Sequence, residues 1–185
     1  VSVCKPIRSR GGRLAEGLNA NGSQFVAVVF EKAPGSIVLR EGWTPQMTYN
    51  RGRLLGRMHA LTKEYDPPAG APRRRHWYED DDFVNYRDYL RPEDSIIADR
   101  FDELQAKLRA LRIDHDSHGL IHMDAHVGNM HFDGDQPILF DFDDCSYDFF
   151  ISDLAISLFY AVLMYGDGRE AFARDFLGRL LEGYR

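Results

Sequence analysis

Residues 122–144 read HMDAHVGNMHFDGDQPILFDFDD, in which acids, histidines and an asparagine surround the apolar tetrapeptide Pro137-Ile-Leu-Phe140. Three readings fit such a stretch: a hydrolytic metal site, a magnesium–nucleotide site, or turn and capping residues on a surface hairpin. The spacing favours the second. Asn129 follows Asp124 by five positions and Asp141 follows Asn129 by twelve, at the end of the apolar run, so one short loop and one strand can bring all three side chains together. Magnesium takes hard oxygen ligands, and a carboxylate with an amide carbonyl leaves positions for water and phosphate oxygens. A further carboxylate, off the metal, can accept the proton of an attacking hydroxyl. On this reading Asn129 and Asp141 hold the metal and Asp124 is the base.

The hydrolase reading rests on His122-Met-Asp124-Ala-His126, within a region that holds five of the seven histidines. It requires a regular strand to align those side chains, and Val127-Gly128-Asn129 interrupts one. The third reading assigns Asp124, Asn129 and Gly134 to turns and Asp141, Asp143 and Asp144 to a cap on the helix that follows. For one residue alone that is the ordinary expectation. A strand ending Phe140-Asp141-Phe142-Asp143, however, commits an acid to a poorly solvated place where it needs a cation.

Working outward, Gln24–Phe30 (QFVAVVF) carries a strand signal behind the turn-formers Asn21-Gly22 and before Pro34-Gly35. Thr44–Glu64 has helical periodicity, with Leu54, Leu55, Met58 and Leu61 on one stripe and Pro45 in the first turn. A Pro/Ala/Gly loop from Pro67 ends in Arg73-Arg74-Arg75, and Glu79–Asp82 is an acidic run, either solvated surface or substrate-facing. Helices are expected over Pro92–Leu111, with Ile96, Ile97, Phe101, Leu104, Leu108 and Leu111 on one face, then over Ile151–Met164 and Glu170–Leu181. Between them lie an extended Gly119–His122 and a buried strand Pro137–Phe142. The fold class is therefore α+β, a mostly helical body with a small hairpin carrying the polar cluster.

A chain of 185 residues with 44% hydrophobic and 28% charged side chains can bury a sizeable core. A net charge of -6 excludes general attraction to nucleic acid or anionic membrane. Two cysteines make no disulfide framework, the N-terminus lacks an apolar signal core, and Leu154–Tyr165 is too short to span a bilayer, so a cytoplasmic location is expected.

The motif His122-x-Asp124-x-x-x-x-Asn129, followed by Leu139-Phe140-Asp141-Phe142-Asp143, resembles those of the aminoglycoside phosphotransferase and choline kinase family, relatives of the protein kinases. The string Phe140–Tyr147 with Ser152-Asp153-Leu-Ala155 is most similar to its bacterial homoserine-kinase-type or RdoA-like Ser/Thr kinase branch. Val28–Gly35 is similar to the last N-lobe strand and hinge of that family, and Leu55-Gly-Arg-Met-His59 to its first large C-lobe helix. The resemblance implies ATP and Mg2+ as cofactors, Asp124 as catalytic base, and Asn129 and Asp141 as metal ligands, with Asp143 either supporting the metal or orienting the loop. It further implies adenine contacts at the hinge Glu31-Lys32-Ala33, through the backbone of Glu31 and Ala33, and a structural role for His122 and Asp153 in bracing the catalytic loop. Met123 stands where glycine is frequent. The implied partner is a hydroxyl acceptor, either a small molecule or a protein Ser/Thr. A homodimer is compatible with the reading.

One departure concerns the phosphate-covering loop, strand lysine and helix glutamate that should precede the hinge; Gly11-Gly12 and Lys5 match them poorly. The expectation is a remnant of the N-lobe over 1–33 and a C-lobe over 34–185, itself short at its end, with the fragment inactive alone. The rival is a non-catalytic, pseudokinase-like binding module, since a lone lobe would expose apolar surface.

Overall fold

The computed structural model describes residues 2–39, 42–166 and 168–185, the side chain of Asp82 excepted. Its largest element is helix α1 (Pro45–Lys63), which starts where Thr44 turns its hydroxyl back to accept the Met47 amide at 3.1 Å. The face bearing Met47, Leu54, Leu55 and Met58 is buried, whereas Leu61, which the periodicity placed on the same stripe, is 63% exposed. It crosses α5 (Arg169–Tyr184) so closely that a Cβ on Gly52 would stand 2.0 Å from the Leu180 carbonyl oxygen, and one on Gly183 would stand 1.9 Å from that of Tyr49. Only residues without a side chain allow that approach.

Helix α4 (Phe150–Leu163) packs against α5 and against the loop that follows strand β5 (His118–Ile121). Strands β6 (Met130–Asp133) and β7 (Gln136–Leu139) form the hairpin, in the register Met130↔Leu139 and Phe132↔Pro137. Met130, Phe132 and Leu139 join Leu55, Leu154, Phe176 and Leu180 in one core. The hairpin turn is tied to the start of α1: the Asp135 carbonyl accepts Asn50 Nδ2, and its carboxylate accepts the Thr44 hydroxyl, both at 2.8 Å.

At the N-terminal end, β1 (Pro6–Ile7) pairs with β4 (Val29–Phe30), and β2 (Glu16–Ala20) with β3 (Ser23–Ala27) through an Asn21-Gly22 turn with positive φ at both residues. The predicted run Gln24–Phe30 thus divides between two strand pairs. Beyond it, Gly35, at φ +71, passes so near Phe132 that a Cβ would lie 2.0 Å from its carbonyl oxygen, which brings residues 31–36 against the hairpin.

Three sequence expectations need correction. Helix α3 (Ser95–Arg109) forms, but Ala98 is its only buried residue, and Ile96, Ile97 and Leu104 are exposed. Phe101 reaches an aromatic cluster, with Phe83 and Tyr86. An apolar stripe states what a helix could bury, not what covers it. The strand expected over Pro137–Phe142 ends at Leu139, because Asp141 adopts a left-handed backbone, φ 65, which breaks the ladder. Finally, Ser146–Phe149 is a strand, β8, paired with β5, so Asp141, Asp143 and Asp144 lie ahead of β8 and do not cap α4, whose N-cap Phe149 has no side-chain capping bond. Among the described residues no helix is long and apolar enough to cross a membrane.

Candidate active site

Strand β5 delivers the chain to His122, which is fully buried. There the backbone amides of His122 and Met123 both donate to Asp153, at 3.1 Å to Oδ2 and 2.8 Å to Oδ1. Asp153 stands in the first turn of α4, where the helix dipole favours a carboxylate. Its Oδ2 lies 3.0 Å from His59 Nε2, and His59 Nδ1 lies 2.9 Å from the Tyr184 hydroxyl. Burial and the neighbouring Asp153 push the Tyr184 pKa up, so its hydroxyl keeps its proton, and His59 turns Nε2–H towards the carboxylate. One turn along α4, the Ser157 hydroxyl donates to the Ala125 carbonyl at 2.8 Å. Two side chains four residues apart on one helix face thus grip the loop at 122–125. The grip holds Met123 at φ 68, a conformation natural to glycine.

His122 spends both ring nitrogens within the fold. Nδ1 accepts the Asp124 amide at 3.2 Å and Nε2 donates to the Phe140 carbonyl at 3.0 Å, linking the loop to the residue before Asp141. Neither nitrogen is left to ligate a metal, which removes the anchor of the hydrolase reading.

Asp124 is held on one side only. Its Oδ2 accepts Asn129 Nδ2 at 2.8 Å and lies 3.3 Å from His126 Nε2. Asn129 Nδ2 also donates to the Asp124 carbonyl at 3.1 Å, which turns the amide oxygen of Asn129 away from the acid. His126 Nδ1 accepts the Gly128 amide at 2.7 Å, so the ring presents an N–H to Asp124. The histidine weighed above as a metal ligand instead orients the acid.

Beside the hairpin opens a cleft of about 390 Å3 lined by Cys4, Phe30, Glu31, Ala33, His131, Phe140, Asp141, Phe142 and Asp143. Of the predicted site residues, the cleft gathers Glu31, Ala33, Asp141 and Asp143; Lys32 is exposed and does not line it. Asn129 is buried at the base of the hairpin, its carbonyl accepting the Phe140 amide at 3.1 Å, one residue from Asp141. Asn129 and Asp141 offer two hard oxygens, which suits a divalent cation whose shell is completed by phosphate and water. Among the described residues no group of three His, Cys, Asp or Glu could hold a metal on its own.

Asp124 also borders a second, smaller cavity of about 140 Å3, with Arg75, His76, Trp77, Asp80, Phe83, Met123, Asp144 and Ser146. The three arginines are exposed, and Arg75 also lines this cavity. Arg73 pairs with Glu79, holding that carboxyl at about 2, and Arg75 pairs with Asp81, while Arg74 donates to the Asp143 carbonyl at 2.6 Å and straps the insert over the loop. Asp148 does not face the cavity; it is buried, caps the Phe149 amide at 2.6 Å, and burial raises its pKa. Ser157 and the orienting role of His126 carried no local signal beyond residue type, and the Leu55–His59 match gave no sign of what His59 contacts.

A family model described as the phosphotransferase enzyme family matches residues 1–185. Amicoumacin kinase from Bacillus subtilis (strain 168) is 37% identical over 190 residues, covering 100% of this chain and 56% of that protein. The chain thus spans little more than half the length of this relative. The solved structure of amicoumacin kinase hAmiN in complex with AMP-PNP, Ca2+ and Ami superposes with a TM-score of 0.93 at 36% identity, over 100% of this chain and 56% of that one. A microcompartment-associated aminopropanol kinase shares the fold, with a TM-score of 0.77 at 20% identity over 100% and 60%. The chain belongs to the phosphotransferase enzyme family.

Proposed function

We propose that the protein transfers the γ-phosphate of ATP, with Mg2+, to a hydroxyl of a small molecule. The observation that carries this reading is the asymmetry of Asp124: one carboxylate oxygen is held by Asn129 and His126, and the residue borders a cavity whose lining is separate from that of the cleft of Asp141. In the reaction the free oxygen of Asp124 accepts the proton of the acceptor hydroxyl as its oxygen bonds to the γ-phosphorus. The bond from that phosphorus to the β-phosphate oxygen breaks, and ADP leaves with the electron pair. A magnesium ion held by Asn129 and Asp141 would supply charge neutralisation on the phosphates. His126 donates to the acid and fixes its orientation, while Asp153 and Ser157 hold the backbone. Glu31 and Ala33, on the cleft wall, suit the adenine edge, and Asp143 lies where it can orient the loop. This reading assigns residues 1–33 to the nucleotide lobe and 34–185 to the catalytic lobe, and its need for ATP supports a cytoplasmic location.

The acceptor pocket suits a small molecule better than a protein serine. Trp77 and Phe83 offer ring surfaces, and Asp144 offers a carboxylate, a combination that favours an amine-bearing molecule. Amicoumacin is the first acceptor to try, because a relative 37% identical over the whole chain is its kinase. The test incubates the full-length protein with ATP, Mg2+ and amicoumacin, then with other amino alcohols, and detects product by mass. A product heavier by one phosphate, lost on chelating the metal, is expected. Failure to phosphorylate any acceptor would refute the proposal.

A further inference from the structure

Of the three exposed arginines ahead of Trp77, two pair inside their own segment, Arg73 with Glu79 at 2.7 Å and Arg75 with Asp81 at 3.0 Å. The Arg74 side chain reaches out of it. Its Nη1 donates to the Asp143 carbonyl at 2.6 Å, across 69 positions of the chain. One residue on, the Arg75 carbonyl accepts the Tyr147 amide at 2.8 Å, and His76 forms a parallel bridge to Tyr147. Residues 74–76 thus run alongside the loop at 143–147, and buried Trp77 anchors the far end.

Both sides of this contact belong to the site. Arg75, His76 and Trp77 line the cavity beside Asp124, and Asp143 lines the cleft together with Asp141. Asp143 sits in a turn that the Cys145 amide closes on the Phe142 carbonyl at 3.3 Å, directly after Asp141 and Phe142. Asp141 has a left-handed backbone, φ 65, which costs energy for a residue with a side chain and persists only where its surroundings hold it. A guanidinium on the Asp143 carbonyl is one such hold, and its charge makes the bond stronger than one between neutral groups. That charge is felt further along the same turn: burial pushes the Cys145 thiol up to about 11, and Arg74 is the main influence opposing the rise. An exposed bond of this kind adds little to overall stability, but here it joins the wall of one cavity to the loop of the other.

We propose that Arg74 is a positioning residue that couples the two halves of the site: through the Asp143 carbonyl it holds Asp141 ready for the metal, and in return a metal–nucleotide complex in the cleft steadies Arg75–Trp77 as the wall of the acceptor cavity. Such coupling is reciprocal by thermodynamic necessity. The inference rests on the proposed phosphate transfer, in that it takes Asp141 as a metal ligand.

The test compares the full-length parent with Arg74→Met and Arg74→Lys. Calorimetry gives the affinity for AMP-PNP with Mg2+ and with chelator. In Arg74→Met the gain from Mg2+ should shrink roughly threefold to fivefold, the worth of one charge-assisted hydrogen bond at a surface, while the affinity with chelator stays within about twofold. Arg74→Lys keeps a charged donor and should retain most of the gain. A second readout is tryptic cleavage after Arg75, identified by mass. Mg2+ with AMP-PNP should slow it about threefold in the parent and leave it unchanged in Arg74→Met. A merely structural Arg74 would move neither ratio. A gain from Mg2+ that survives Arg74→Met would overturn the proposal, as would equal slowing of cleavage in both proteins, or a loss as large in Arg74→Lys as in Arg74→Met. A parent that binds AMP-PNP no better with Mg2+ would instead refute the metal site of the proposed transfer, and this inference with it.

Discussion

Replacing Asp153 with asparagine removes one oxygen from a fully buried carboxylate on which three donors converge: the amides of His122 and Met123 and the Nε2–H of His59. Two of these meet at Oδ2 and one at Oδ1, so the better asparagine rotamer keeps its oxygen at the Oδ2 position. Its NH2 then faces the Met123 amide, donor against donor. An unsatisfied buried amide costs roughly 1–3 kcal/mol, and the two surviving bonds lose their ionic component. The sum is about 3 kcal/mol, a Tm drop of roughly 6–12 °C for a chain of this size. Released from Asp153, Met123 is also free to leave its left-handed backbone, which moves Asp124, so turnover should fall further than stability alone explains. Urea unfolding of the purified protein measures the first effect and initial rates at low temperature, where both proteins are folded, measure the second. An Asp153→Asn protein within about 1 kcal/mol of the parent and equally active would refute the assignment of Asp153 as the clamp on the loop.

Replacing Asp141 with alanine should abolish most of the gain in nucleotide affinity that Mg2+ confers, a loss on the order of tenfold, read by calorimetry with and without chelator; an unchanged gain would remove Asp141 from the metal site. Gly52→Ala places a methyl group 2.0 Å from the Leu180 carbonyl oxygen and forces α1 and α5 apart, for a net loss of about 2 kcal/mol despite alanine's better helix propensity, measured by urea titration. Burial first, and then the nearby His76, lower the pKa of His118 below its ordinary 6.5. The unfolded chain therefore takes that proton before the folded one does: the contribution is complete above about pH 6.5, falls as the pH drops towards the folded pKa, and is level below it. A Tm profile from pH 8 to 5 should flatten in that window in His118→Gln.

The loop from His122 to Asn129 was legible in the sequence where its information is local. Asn129 reaches Asp124 across one short turn, and the hairpin sets Phe140, next to Asp141, against the Asn129 carbonyl. Thr44 and Pro45 announced α1 in the same way. What could not be read depends on distant pairing. His59 meets Asp153 and Tyr184 across the molecule, and the segment Leu55–His59, though family-like, says nothing of those partners. The part played by His126 is decided by the Gly128 amide, which turns the ring so that Nε2–H faces Asp124; without that turn, the alternation His-x-Asp-x-His serves a metal equally well. Ser146–Phe149 forms a strand only because β5 lies beside it, and the apolar stripe of α3 named no covering surface. Arg51 gives no sign in the sequence of being buried, since its neighbours Tyr49-Asn50 and Gly52-Arg53 read as a polar helix face.

The central claim is that Asp124 takes the proton of the acceptor hydroxyl, and single-turnover phosphate transfer by Asp124→Asn tests it most directly. The variant keeps the shape of the side chain and its neighbours Asn129 and His126 but has no basic oxygen, so the account predicts nucleotide binding within about twofold of the parent and a transfer rate lower by roughly 10²–10⁴. Transfer at the parental rate, with the nucleotide equally bound, would contradict it.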